Sequence, residues 1–247
     1  MQARHHVLDP SVPFLAGNVC ALAVMTKAPR AGQVKTRLVP PLSPQEAAEL
    51  NICFLRDTAV AIGKALSPTV RGVAVYTPLG AESAYNDILP GEFKLLPQRG
   101  DGFGERLTFA AEDLFKCGFS SVCLIDSDSP TVSGEIYAKA TELLSQADDC
   151  LVLGPSDDGG YYLIGLNQNR PQLFQQIDWS TERVLEQTKA RARELKLDVS
   201  LLPTGYDVDD AATLRRLGEE LLSGDSPPAI ALHSRKFLAE LKRRKRL

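Results

Sequence analysis

Three clusters of ionisable residues have the composition and spacing to do chemistry. The first, Lys27-Ala28-Pro29-Arg30-Ala31-Gly32-Gln33-Val34-Lys35-Thr36-Arg37, carries four cations and no acid. Arg30 and Arg37 suit forked contact with phosphate, and Lys27 and Lys35 act as point charges. Gly32 lets the backbone, with its N–H groups, come close to phosphate oxygens. The second cluster is Asp126-Ser127-Asp128-Ser129-Pro130. Carboxylates facing a cationic loop supply the hard oxygen ligands of Mg2+ or Mn2+ when the metal also shares phosphate oxygens. Two residues apart, Asp126 and Asp128 would point to one face of an extended backbone. The third is Asp207-Val208-Asp209-Asp210, where Asp207 and Asp209 could share a face. The competing readings are a solvated basic loop, turn aspartates, and a helix cap at Asp128, Asp209 or Asp210.

Two further stretches are suggestive. Gly100-Asp101-Gly102-Phe103-Gly104-Glu105-Arg106 opens a helix, whose N-terminus favours anions. Ser156-Asp157-Asp158-Gly159-Gly160-Tyr161-Tyr162 joins two apolar runs through two acids and two glycines, as if the backbone must approach a ligand.

Other chemistries are disfavoured. The three histidines, His5, His6 and His233, lie toward the chain ends, with the first two expected in a frayed N-terminus. There is no G-x-S-x-G and no H-E-x-x-H, so a Ser-His-Asp hydrolase or a histidine-ligated metalloenzyme does not fit. Five cysteines without a C-x-x-C pair imply neither a disulfide framework nor a zinc knuckle. With an opening too polar for a secretory signal and no apolar run long enough to span a bilayer, a cytoplasmic protein is expected.

The elements that must position the clusters follow from the hydrophobic pattern. The 247 residues, 44% hydrophobic and 24% charged, can bury one large α/β core. Val19–Thr26 is a continuous apolar run, as in a strand buried on both faces. Ser43-Pro44-Gln45-Glu46 is a complete helix start, predicting a helix to about Ala65. Further strands are predicted at 70–76, 93–96, 121–125, 150–153, 160–166 and 198–202. Helices are predicted at about 105–116, 133–147 and from 182 to 195, with another opened by 207–210. This alternation predicts a three-layer α/β/α fold with a mostly parallel mixed sheet, and all three clusters then fall at strand ends, where such sheets bind ligands. The formal net charge is −3, yet Ser234–Leu247 alone carries +6. Leu238, Leu241 and Phe237 make that tail a basic amphipathic helix, read as a solvated terminal element with no nucleic-acid partner. The division expected is a flexible extension at 1–18, a single catalytic domain at 19–222, and a linker with the basic helix at 223–247.

AVMTKAPRAGQVKTRL at 23–38, SDSPT at 127–131, GPSDDGGYYLIGL at 154–166, WSTERVL at 179–185 and DVDD at 207–210 resemble a bacterial family related to the GT-A nucleotide-diphospho-sugar transferases, commonly labelled arsenosugar-biosynthesis-associated glycosyltransferases. The resemblance spans residues 19–222 and implies a GT-A fold whose first loop holds nucleotide phosphates. It implies Asp128 and Asp209 as acids for Mg2+ (or Mn2+), acting in catalysis together with Lys35. The family usually has glycine at position 126, so Asp126 is a departure. The nucleotide-binding set expected is Lys27, Arg30, Gly32, Lys35 and Arg37, extended by Gly104, Arg106 and Asp158. Asp158 and Trp179 are further expected to meet a small polar acceptor. Transfer from a nucleoside triphosphate would be nucleotidyl transfer, and transfer from a nucleotide sugar would be glycosyl transfer. A module that binds a nucleotide or phosphorylated metabolite without turnover is the other class, disfavoured by the pairing of Asp128 with Asp209.

Overall fold

The helices opened by Pro44, Phe103 and Ala211 start where nearby side chains satisfy orphaned N–H groups. In the computed structural model, which describes residues 4–13, 17–146, 148–224 and 226–244, Ser43 caps α1 (Pro44–Ala65). Its hydroxyl accepts from Glu46 N at 3.2 Å, and the Glu46 carboxylate accepts from Ser43 N at 2.8 Å. Helix α2 (Phe103–Lys116) begins two residues earlier than expected. The Glu105 carboxylate reaches back to accept from Asp101 N and Gly102 N, which draws Phe103 and Gly104 into the first turn. Helices α3 (Gly134–Gln146), α4 (Val184–Glu194), α5 (Ala211–Leu222) and α6 (Leu232–Arg243) complete the set.

Seven strands form one sheet: β1 (Cys20–Lys27), β2 (Val70–Thr77), β3 (Lys94–Pro97), β4 (Ser121–Ile125), β5 (Cys150–Pro155), β6 (Tyr161–Leu166) and β7 (Asp198–Leu201), in the order β3-β2-β1-β4-β6-β5-β7. Only β6 runs antiparallel to its neighbours. The Ser156–Gly160 connection is too short for a crossover helix, so the chain must turn back on itself. Along β1 the side chains alternate: Leu22 and Val24 meet α1 and α3, while Ala21 and Ala23 meet α2. The result is three layers. Strand order reverses between β1 and β4, which opens a crevice at their carboxyl ends.

Both chain ends are more embedded than the sequence suggests. Residues 6–8 pair with the edge of β3, with Leu8 N donating to Leu95 O and Leu95 N to His6 O. The His5 ring is buried within reach of the Phe93 and Tyr85 carbonyl oxygens, at 3.1 and 3.3 Å. The expectation of a frayed segment at His5 and His6 is corrected, because an edge strand offers unpaired backbone groups and Leu8 has a core to enter. Helix α6 inserts Leu238 and Leu241 among Leu50 and Phe54 of α1 and Leu217 of α5. All five cysteines are free, and no helix among the described residues is long and apolar enough to cross a membrane.

Candidate active site

The β1–α1 loop, the end of β4 and the approach to α5 converge beside the crevice. Lys35, with φ 49°, sits in the left-handed region just before a short turn at Thr36–Leu38. Its side chain is only 5% exposed. The ammonium donates to Val208 O at 2.7 Å and to Asp209 Oδ1 at 2.9 Å, and lies 2.9 Å from Asp128 Oδ1. Arg37, largely exposed, pairs with the other oxygen of Asp209. The backbone ties the same elements together, since Val208 N donates to Asp128 O at 2.9 Å. Asp210 is the N-cap of α5, accepting from Ala212 N and Thr213 N at 2.9 and 2.8 Å. That division of labour leaves the Asp209 carboxylate free to face Lys35.

This triad separates two cavities. The larger, about 500 Å³, is bounded by Asp126, Asp128, Asp158, Asp207, Asp209, Phe103 and Trp179 among others. The smaller, about 260 Å³, is bounded by Lys27, Gln33, Lys35, Arg37, Asn51, Asp128 and Asp209. Asp128, Asp209 and Arg37 line both cavities, while Asp126, Asp158 and Asp207 line only the larger and Lys27 and Lys35 only the smaller.

The chain is similar to several known proteins. A family profile described as "Uncharacterized protein conserved in bacteria (DUF2064)" matches residues 63–181. The chain is 28% identical over 212 residues to a 2-phospho-L-lactate guanylyltransferase of Methanothermobacter thermautotrophicus (strain Delta H), spanning 84% of this chain and 85% of that protein. It superposes with a TM-score of 0.80 and 26% identity on a crystal structure from Desulfovibrio desulfuricans G20 assigned to the nucleotide-diphospho-sugar transferases, covering 92% of this chain and 96% of that one. The chain has the GT-A-like fold and is similar to the nucleotidyl and glycosyl transferases of that superfamily. At the level of fold alone, it resembles CMP:2-keto-3-deoxy-manno-octonic acid synthetase complexed with CTP, with a TM-score of 0.50 and 11% identity over 81% of this chain and 97% of that one.

Within this GT-A-like transferase the acids are unequal. Asp126 and Asp128 both line the larger cavity, just past the end of β4 at Ile125. The oxygens of Asp126 accept from Ser129 Oγ at 2.7 Å and Asp128 N at 3.3 Å, so it shapes the turn that presents Asp128. Burial, reinforced by the Asp128 charge, pushes the Asp126 carboxyl well above the usual carboxylate range. Asp207 accepts from Ser156 Oγ at 3.3 Å. Burial and then the charges of Asp158 and Asp209 push it up to about 6. Burial pulls the Lys35 ammonium down, but Asp128 and Asp209 together outweigh it and hold the group above the usual lysine value.

Other expected residues divide between the two cavities and the exterior. Lys27 borders the small cavity, while Arg30 and Gly32 stand exposed on the loop. Gly32 has φ +74° and open space around a built Cβ, so its glycine meets a turn requirement. Asp158 borders the large cavity and accepts from Gly160 N at 2.9 Å. Gly104 is covered by the Trp179 indole. The Arg106 guanidinium closes the glycine loop on Gly100 O and Asp101 O. Neither residue borders either of these two cavities, so the structure does not bring Gly104 and Arg106 to the cationic loop.

Three contributors were not singled out by residue type. Val208 and Phe103 lie inside quoted clusters, but Val208 acts through its backbone carbonyl and Phe103 meets Trp179 edge-on at 5.2 Å only after folding. Asn51 lies outside every cluster, as a buried polar residue in α1.

Among the described residues, no three histidine, cysteine or acidic side chains converge as a metal cage. The donor set nonetheless fits Mg2+, which is held through one or two carboxylates plus substrate phosphates rather than by an all-protein cage. Burial first and neighbouring acids second raise Asp126 and Asp207, and a divalent cation beside Asp128 would offset the acid–acid repulsion.

Proposed function

We propose that this transferase is a Mg2+-dependent nucleotidyltransferase of the cytoplasm, using a nucleoside triphosphate and a small polar acceptor. The observation that carries the reading is the pairing of Asp128 with Asp209 through Lys35, on the wall shared by two cavities at the β1/β4 crevice. Asp128 and Asp209 would hold the divalent cation, which when bound neutralises donor phosphate oxygens. Lys27, Arg30 and Arg37 add the positive charge that a triphosphate requires. An acceptor oxygen attacks the α-phosphorus, the bond to the bridging oxygen breaks, and pyrophosphate leaves. The protein contributes mainly positioning and charge stabilisation. Asp158 and Trp179 are assigned to acceptor contact on the wall of the larger cavity.

GTP is the first triphosphate to try, because the relative matched over 84% of this chain is a guanylyltransferase. A second reading, glycosyl transfer from a nucleotide sugar, draws on the likeness to the Desulfovibrio structure. One experiment separates them: incubation with Mg2+ and an acceptor mixture, with the four triphosphates in one reaction and common nucleotide sugars in another. Pyrophosphate release is the expected result. Nucleoside diphosphate release from a nucleotide sugar would replace the first reading with the second. No product from either pool, with one nucleotide still raising the melting temperature, would favour a binding module.

A further inference from the structure

We propose that Lys35 is an internal counter-cation that occupies the divalent cation's place between Asp128 and Asp209 and gives it up when metal and nucleotide bind. This rests on the metal-dependent reading above. All three N–H donors of the ammonium are committed, to the Val208 carbonyl at 2.7 Å and to one oxygen each of Asp128 and Asp209 at 2.9 Å. Mg2+ needs its oxygens at about 2.0–2.1 Å, so a metal drawing on those two carboxylates would lie against a fixed positive charge. Lys35 and the metal therefore compete for one position.

The structure also supplies a place for Lys35 to go. Its side chain borders the small cavity together with Asn51. Asn51, 4% exposed in α1, has a buried side-chain carbonyl oxygen with no hydrogen-bond partner. Such an acceptor costs about 1–3 kcal/mol while unsatisfied, so a donor arriving there is favoured. Lysine is suited to the movement, because its single point charge rides on a flexible four-carbon stem. Withdrawn toward Asn51, the ammonium leaves the acids and joins Lys27 and Arg37 beside the small cavity, where phosphate charge would hold it. Metal alone must displace Lys35 unaided, whereas metal arriving with a triphosphate brings that new partner. Metal and nucleotide binding are thereby coupled.

The test is Mn2+ binding to the full chain without nucleotide, followed by the electron paramagnetic resonance signal of free Mn2+. Lys35→Met is expected to bind Mn2+ about tenfold or more tighter than the wild type. Adding Asp128→Asn to it should abolish the gain. Should Lys35→Met fold poorly, Asn51→Asp gives the intact lysine an acidic partner away from the site and is expected to tighten Mn2+ binding several-fold. Equal or weaker Mn2+ binding by a folded Lys35→Met or Asn51→Asp, with wild-type turnover still dependent on metal, overturns the exchange alone. Turnover that persists in EDTA, with no Mn2+ bound by any variant, overturns the metal-dependent reading and the exchange together.

Discussion

Gly104 lies directly beneath the indole of Trp179: a Cβ at position 104 would stand 2.9 Å from Cε2 and closer still to Nε1. Phe103 meets the same indole edge-on, with ring centroids 5.2 Å apart. The start of α2 and the 178–183 loop thus form one wall of the larger cavity, and only glycine allows that approach. Gly104→Ala is expected to cost about 1–3 kcal/mol through overpacking, lowering the melting temperature by about 3–10 °C. Trp179 is the sole tryptophan, so its fluorescence reports this wall directly. An unchanged emission maximum and melting temperature in Gly104→Ala would show that the wall is looser than described.

Asp128 and Asp209 can be tested without dismantling the fold. Asp128→Asn and Asp209→Asn each keep an oxygen for Lys35 but lose the negative charge. Turnover is expected to fall about 100-fold or more, with far-ultraviolet circular dichroism unchanged. Near-normal turnover in either variant removes that residue from the catalytic assignment. Asp126→Asn, by contrast, should act mainly through the turn that presents Asp128, so its loss should be smaller than that of Asp128→Asn.

A carboxylate in α1 anchors α6 across 176 residues of sequence. Asp57 accepts from His233 N at 2.9 Å, Ser234 N at 2.8 Å and Ser234 Oγ at 2.6 Å, where Ser234 is fully buried. It serves as the helix cap that the α6 segment lacks in its own sequence. Asp57→Ala leaves those donors unsatisfied and is expected to cost about 2–3 kcal/mol, read in urea or thermal unfolding. A loss under about 0.5 kcal/mol would mean that α6 is held by its apolar face alone.

Asp207 gives the metal-free protein a pH signature. Its folded value of about 6 lies above the ordinary 3.8, so the folded state binds this proton more tightly than the unfolded chain does. The group therefore weakens the fold above pH 6, and that penalty fades as pH falls toward 4. In EDTA, Asp207→Asn is expected to melt about 2–4 °C higher than the wild type at pH 7.5, and with a smaller margin at pH 4.5. A margin that does not depend on pH would assign the effect to packing rather than charge.

The order of strands and helices was written locally. The apolar run of β1, the Ser43–Glu46 helix start and the apolar stripe of α6 each carry their signal within a few residues, because propensity, capping and periodicity act over that range. The chain ends were misjudged for the opposite reason. The polarity of His5 and His6 says nothing of the β3 edge that receives them, and the apolar stripe of α6, though visible, does not say that Leu238 and Leu241 meet α1.

The residue types of the site were likewise legible, since four cations after one strand and paired acids after others can be counted. Which acid does what depended on directions in space. Asp126 turns inward to Ser129, Asp210 caps α5, and Asp128 and Asp209, 81 positions apart in the chain, remain to meet. Lys35 was visible as a charge but not as the bridge between them. The sequence by itself determined the strand–helix alternation and the ionisable residues available at the strand ends, because those depend on near neighbours along the chain. Only the tertiary structure decided their partners, because a charge 2.9 Å from two carboxylates is fixed by how separate elements pack, and no local pattern encodes that distance.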